Sequence, residues 1–133
     1  MTASITITDS DPTSPQTIAL SGTGLAASGS VNLSATSLAY PATTVGTASG
    51  SESVTMTNTG AGALAITSIT VGGNDPSSFV IANNCGTSLA AGASCTIHGH
   101  FAPVASGALT AAVTISDSAS GSPQSISLSG TGQ

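Results

Sequence analysis

The chain repeats part of itself. Residues 2–24 read TASITITDSDPTSPQTIALSGTG and residues 110–132 read TAAVTISDSASGSPQSISLSGTG, an ungapped match at an offset of 108 with 15 of 23 positions identical. Most of the differences are mild, as in Ile5 against Val113 and Thr8 against Ser116. Solenoid units run to roughly 20–50 residues, so this period is too long for one and fits a single sandwich domain. The 133 residues therefore read as an N-terminal β arm over 1–24 (the end of a preceding repeat), a joint over 25–30 and a complete unit over 31–133.

Alternation of apolar and hydroxyl residues marks the strands of that unit. Val31 and Leu33 open it, Leu38 and Tyr40 follow before Pro41, and Val54 and Met56 share a face of the run Ser53–Asn58. Leu64 and Ile66 alternate, and so do Ile69 and Val71 one residue out of phase, which predicts a bulge between the two pairs. Phe79 with Ile81, Ile97 with Gly99 and Phe101, Ala111 with Val113 and Ile115, and Ile126 with Leu128 complete the set. Asn58-Thr59-Gly60, Gly72–Pro76 and Ser120–Pro123 read as turns. No segment carries a 3.6-residue apolar period of helical length. The fold class is all-β: an immunoglobulin-like antiparallel β-sandwich of about seven to eight strands, with a β arm in front of it.

Charge narrows the function. There is no Lys and no Arg, and five acids leave a net charge of −5. Nothing can neutralise phosphates, so nucleic acid is not an expected partner, and neither is an anionic membrane surface. No apolar run approaches the ~20 residues that span a bilayer, so no membrane insertion is expected. The N-terminus has no basic region and no long apolar stretch and does not read as a signal peptide. Polarity comes instead from 44 Ser and Thr residues, a composition common in chains that work outside cells.

Several motifs together point to a family. They are Val31-x-Leu33, Ser37-Leu38-x-Tyr40, Val45-Gly46-Thr47, Val54-Thr55-Met56-Thr57-Asn58-Thr59-Gly60 and Leu64-x-Ile66-x-x-Ile69. Asn84-Cys85-Gly86, the run Leu89–Ile97, Phe101-x-Pro103, Ser122-Pro123-Gln124 and the closing Leu128–Gly132 continue the series. The chain resembles the bacterial choice-of-anchor D repeats, relatives of the abnormal-spindle and hydin type of immunoglobulin-like domain. Residues 2–24 match the closing motif as well, so the resemblance covers the whole chain. It implies a β-sandwich used in tandem in large exported bacterial proteins, placed outside the cell or on its surface. It implies no enzymatic activity and supplies no catalytic residues. The chain departs from the pattern in lacking cations and in carrying His98-Gly99-His100 where a hydroxyl and β-branched strand is usual.

Candidate sites are few. Cys85 and Cys95 flank a Gly- and Ala-rich loop, and their readings are a metal pair, a redox switch or a disulfide. Zinc would need two further ligands. In an exported setting the disulfide is the expectation, with a contribution of roughly 3 kcal/mol in the chain-entropy model. His98 and His100 share the outer face of one strand and are weak metal candidates, a solvated face being the plainer reading. Asp9-Ser10-Asp11-Pro12-Thr13 looks like half of a calcium loop but reads better as a turn. No Gly-x-Ser-x-Gly elbow occurs and no histidine has an acid placed in sequence to orient it, so no catalytic residue and no cofactor is expected.

The arm carries the functional argument. An isolated hairpin is marginally stable in water, so the strands over 4–8 and 16–21 need a partner. They can fold onto an edge of their own unit, add to another copy, or replace that copy's final strands in a swap. Ile5, Ile7, Ile18 and Leu20 are the expected contacts, neighbouring copies or adjacent repeats the expected partners, and a homo-oligomer or filament the consequence. The chain thus reads as a non-enzymatic structural module of an extracellular repeat protein or fibre. The alternative is an adhesion module that binds a glycan or protein through its loops. It would call for an exposed aromatic site, and only Tyr40, Phe79 and Phe101 are present, two of them phased inward.

Overall fold

A computed structural model describes residues 1–24 and 26–133; Leu25, the first residue of the expected joint, lies outside the described residues. The strands fall where the alternation places them. In the arm, β1 (Thr2–Ile7) and β2 (Gln16–Ser21) form a two-stranded antiparallel sheet of their own. The sandwich holds β3 (Val31–Leu33), β4 (Ser37–Ala39), β5 (Glu52–Asn58), β6 (Leu64–Gly72), β7 (Phe79–Asn83), β8 (Ser88–Leu89), β9 (Ser94–Phe101), β10 (Gly107–Asp117) and β11 (Gln124–Gly132). One 3-10 turn, Pro76–Ser78, leads into β7.

The two sheets of the sandwich run β4-β11-β10-β6-β8 and β3-β5-β9-β7. Alternate residues of each sheet point between them. Val54 and Met56 of β5 and Ile97 and Phe101 of β9 meet Leu64, Val113, Ile115, Ile126 and Leu128 from the opposite sheet, all buried. Each such side chain contributes about 1.5–3 kcal/mol by leaving water. With almost no ion pairs available to an acid-only chain, this apolar layer and the backbone ladders hold the domain together.

The phase slip in β6 is a bulge, as its pattern implies. Ser116 pairs with Ser68 and Asp117 with Ile66, which leaves Thr67 as the extra residue. That one residue lets both Ile66 and Ile69 face the core. Three features differ from the sequence expectation. The sandwich has nine strands rather than seven or eight, since the two-residue β8 pairs through Leu64↔Leu89. The sandwich is not wholly antiparallel, because β4 lies parallel to β11 through Leu38↔Leu128. Finally, all three aromatics rather than two lie inside the core, with the Tyr40–Phe79, Tyr40–Phe101 and Phe79–Phe101 ring centroids 5.9, 6.1 and 5.0 Å apart.

Candidate functional site

The arm is a second copy of the β10–β11 hairpin in structure as well as in sequence. Every arm pair from Thr2↔Ser21 to Ile7↔Gln16, shifted by 108, is a pair of β10–β11, from Thr110↔Ser129 to Ile115↔Gln124. The turns are built alike. Asp9 N–H donates to Ser14 Oγ at 2.9 Å, as Asp117 N–H does to Ser122 Oγ, and Asp11 N–H donates to Asp9 Oδ1 at 2.8 Å, as Ala119 N–H does to Asp117 Oδ1. Local hydrogen bonding within the hairpin is therefore enough to set this geometry.

The surroundings differ. Val113, Ile115, Ile126 and Leu128 are 0–1% exposed. Their counterparts Ile5, Ile7, Ile18 and Leu20 are 48, 44, 48 and 43% exposed. The arm strands pair only with each other among the described residues, and not with an edge of the sandwich. Ile5, Ile7, Ile18 and Leu20 thus share one sheet face with water on it. At its open end Met1, Ala3, Leu20, Gly22 and Gly24 line a cleft of about 430 Å³.

The cysteines are joined: Cys85 and Cys95 form a disulfide that ties the loop after β7 to the start of β9. Both are buried. Asn83 Oδ1 accepts from Cys85 N–H at 3.1 Å, and Asn84 Oδ1 accepts from Thr96 N–H at 2.8 Å, so the loop is also clamped by its own amides. His98 and His100 lie on the outer face of β9, opposite Ser53 and beside Val80, while Ile97, Gly99 and Phe101 face inward. Among the described residues no group of three His, Cys, Asp or Glu side chains converges on one point. The Asp9–Thr13 segment is a turn: Asp11 Oδ1 accepts from both the N–H and the hydroxyl of Thr13, at 2.8 and 2.6 Å. The hydroxyl first, and then the N–H, hold the Asp11 carboxyl below the usual carboxylate range. The three aromatic rings offer no exposed platform, because they pack on one another inside. Burial, and secondarily the charge of Glu52, push the Tyr40 hydroxyl up.

The family model of the HYDIN/CFA65/VesB-like Ig-like domain matches residues 42–131. The chain belongs to that family. No curated protein matches its sequence. Among solved structures, this HYDIN-type domain is similar to the ASH/PapD-like domain 7 of human CEP192, at 17% identity and a TM-score of 0.57, over 77% of the chain and 84% of that one. It is similar to the VesB protease of Vibrio cholerae at 20% identity and a TM-score of 0.58, over 77% of the chain but only 31% of that one. A Porphyromonas gingivalis W83 protein of unknown function matches over 98% of the chain and 66% of its own length, at 14% identity and a TM-score of 0.67. These likenesses concern the fold alone. The sandwich over 31–133 would by itself fill a share of 77%; a share of 98% also takes in the arm.

One residue of the HYDIN-type domain is a hub that the sequence reading left as a turn residue. Asn58 is fully buried. Its Nδ2 donates to Gly62 O and Leu89 O at 2.8 and 2.9 Å, and its Oδ1 accepts from Ser30 N–H and Gly60 N–H at 3.1 and 3.0 Å. It thereby fastens the joint to the β5–β6 turn and to β8. Ser28 O and Ser30 O add bonds from Gly62 N–H and Thr59 N–H. A buried amide that satisfies four backbone groups has no signature in a single sequence beyond the Asn itself.

Proposed function

We propose that the chain is a non-enzymatic structural module of an extracellular bacterial repeat protein or fibre, a choice-of-anchor D repeat within its family, and that it associates with neighbouring copies through the β arm. The observation that carries this reading is the arm's exposed apolar face, whose sequence copy in the same chain is dry. Two strands with four large aliphatic side chains in water are unstable alone and gain by pairing. The contact is head-to-tail, since the arm of one copy meets the body of the next, and such contacts build filaments where the rotation does not close a ring. Five acids per subunit oppose this little at physiological salt. The disulfide suits an oxidising compartment.

The test is negative-stain electron microscopy with light scattering on the full chain and on a variant lacking residues 1–24. The full chain should form long oligomers and the deletion should be monomeric. Assembly unchanged by the deletion would sink the proposal.

A further inference from the structure

The copy of the arm inside the sandwich shows what covers such a hairpin. Gly130 and Gly132 are glycines for a visible reason. A Cβ at Gly130 would stand 2.6–2.8 Å from the ring of Phe101, and one at Gly132 would meet the carbonyl oxygen of Ala105 and, at 3.1 Å, Pro103. Their counterparts Gly22 and Gly24 have nothing within 4 Å. No contact in the arm requires glycine there, yet glycine stands at both places. The cleft beside Gly22 opens between the counterparts of Ala111, Leu128 and Gly130, on the side where the sandwich holds Phe101.

A second residue behaves the same way. In the sandwich Ala65 N–H donates to Ser118 Oγ and Ser118 N–H donates to Ala65 O, both at 3.0 Å. The arm keeps a serine, Ser10, at that position, without a partner among the described residues. At the buried strand positions the two copies differ only in Ile5 for Val113. Asp11 replaces the partly buried Ala119, with its carboxylate turned back on Thr13.

We infer that the arm docks by closing the open core of a second body of this same kind, filling the slot between β6 and β4 that β10–β11 fills here, rather than by adding a strand to an outer edge. The inference rests on the reading of the arm as an association element and specifies its occupant. The partner surface is that of residues 31–106 in another copy: an aromatic ring in the position of Phe101 over Gly22, a carbonyl in the position of Ala105 against Gly24, and a backbone in the position of Ala65 for Ser10. In a copy whose own β10–β11 is seated, the arm takes the slot by displacing that hairpin, against the closer fit of Val113 than of the bulkier Ile5. Assembly of the full chain by this route is therefore an exchange of hairpins between copies.

The experiment is a longer chain in which a second copy of residues 26–109 is set directly before Thr2, so that its Leu109 runs into Thr2 as Leu109 runs into Thr110 within the chain. Hydrogen exchange is followed on the arm amides, in dilute solution, beside the unextended chain. Closure should slow those amides by at least about 100-fold, as the hairpin passes from opening alone to opening only with a domain. An Ile5→Val version guards against failure by overpacking, and closure in either version supports the inference. Gly22→Val with Gly24→Val, harmless to the free hairpin, should abolish the protection. Arm amides that stay fast in both extended chains, or protection that survives the two valines, would overturn it. Fast amides there, with the unextended chain still assembling through residues 1–24, would overturn this docking mode and leave self-association standing.

Discussion

The two hairpins of this chain are nearly the same object in two environments. β1–β2 and β10–β11 share register, turn bonds and the order of inward residues, yet one inward face is in water and the other is dry. Hairpin geometry is thus a local property, set by alternation and by a turn that satisfies its own backbone groups. Stability is not local: the same side chains that contribute by burial in the sandwich contribute little in the arm.

The largest expected contrast is a truncation made at matched positions. Ile115→Ala should lower the unfolding free energy of the domain by about 2–5 kcal/mol, because a cavity opens in a filled core. Ile7→Ala should leave the unfolding free energy of the domain, read from a urea titration, within about 0.5 kcal/mol of its value. Equal effects would mean that the arm is part of the cooperative unit. Reduction of Cys85–Cys95 comes next. It should cost the sandwich up to roughly 3 kcal/mol and leave the arm untouched, because the bond lies wholly within the body. A melting curve indifferent to reductant would remove the disulfide from the account.

Glycine to alanine at the matched positions gives a smaller contrast. Gly130→Ala drives a Cβ into the boxed ring of Phe101 and should destabilise by about 1–3 kcal/mol, whereas Gly22→Ala should be neutral to about 0.5 kcal/mol. Urea titrations of the two variants measure it. The smallest effect is titration of the arm turn. The folded-state pKa of Asp11 lies below its unfolded value, so its contribution is present above the unfolded value and lost as pH falls through the folded one. On acidification the Thr13 amide should shift with Asp11 in a proton NMR titration. The corresponding step should be missing in an Asp11→Asn variant. A matching step there would show that Asp11 is not its source.

The strands, the bulge at Thr67 and the outward phase of His98 and His100 were legible because each is written in the period-2 pattern of neighbouring residues. The β8 pairing, the parallel β4–β11 contact and the packing of all three aromatic rings into one cluster were not. They depend on backbone groups and rings that meet across many residues of chain, and a backbone hydrogen bond carries no residue code. Asn58 makes the same point for the joint: as a turn signal it was visible, as the anchor of Ser30, Gly62 and Leu89 it was not. Which aliphatic residues of the arm share a face could be identified from the repeat alone; their exposure could not.

Residue order along each hairpin settles which side chains share a face, since successive residues of a strand point to opposite sides. Whether that face is dry depends on what the rest of the chain sets against it. Over Ile115 and Gly130 the fold sets β9 and the ring of Phe101. Over Ile7 and Gly22, with the same letters in the same order, it sets nothing among the described residues, because burial is a property of surfaces brought together and not of the segment that carries one of them.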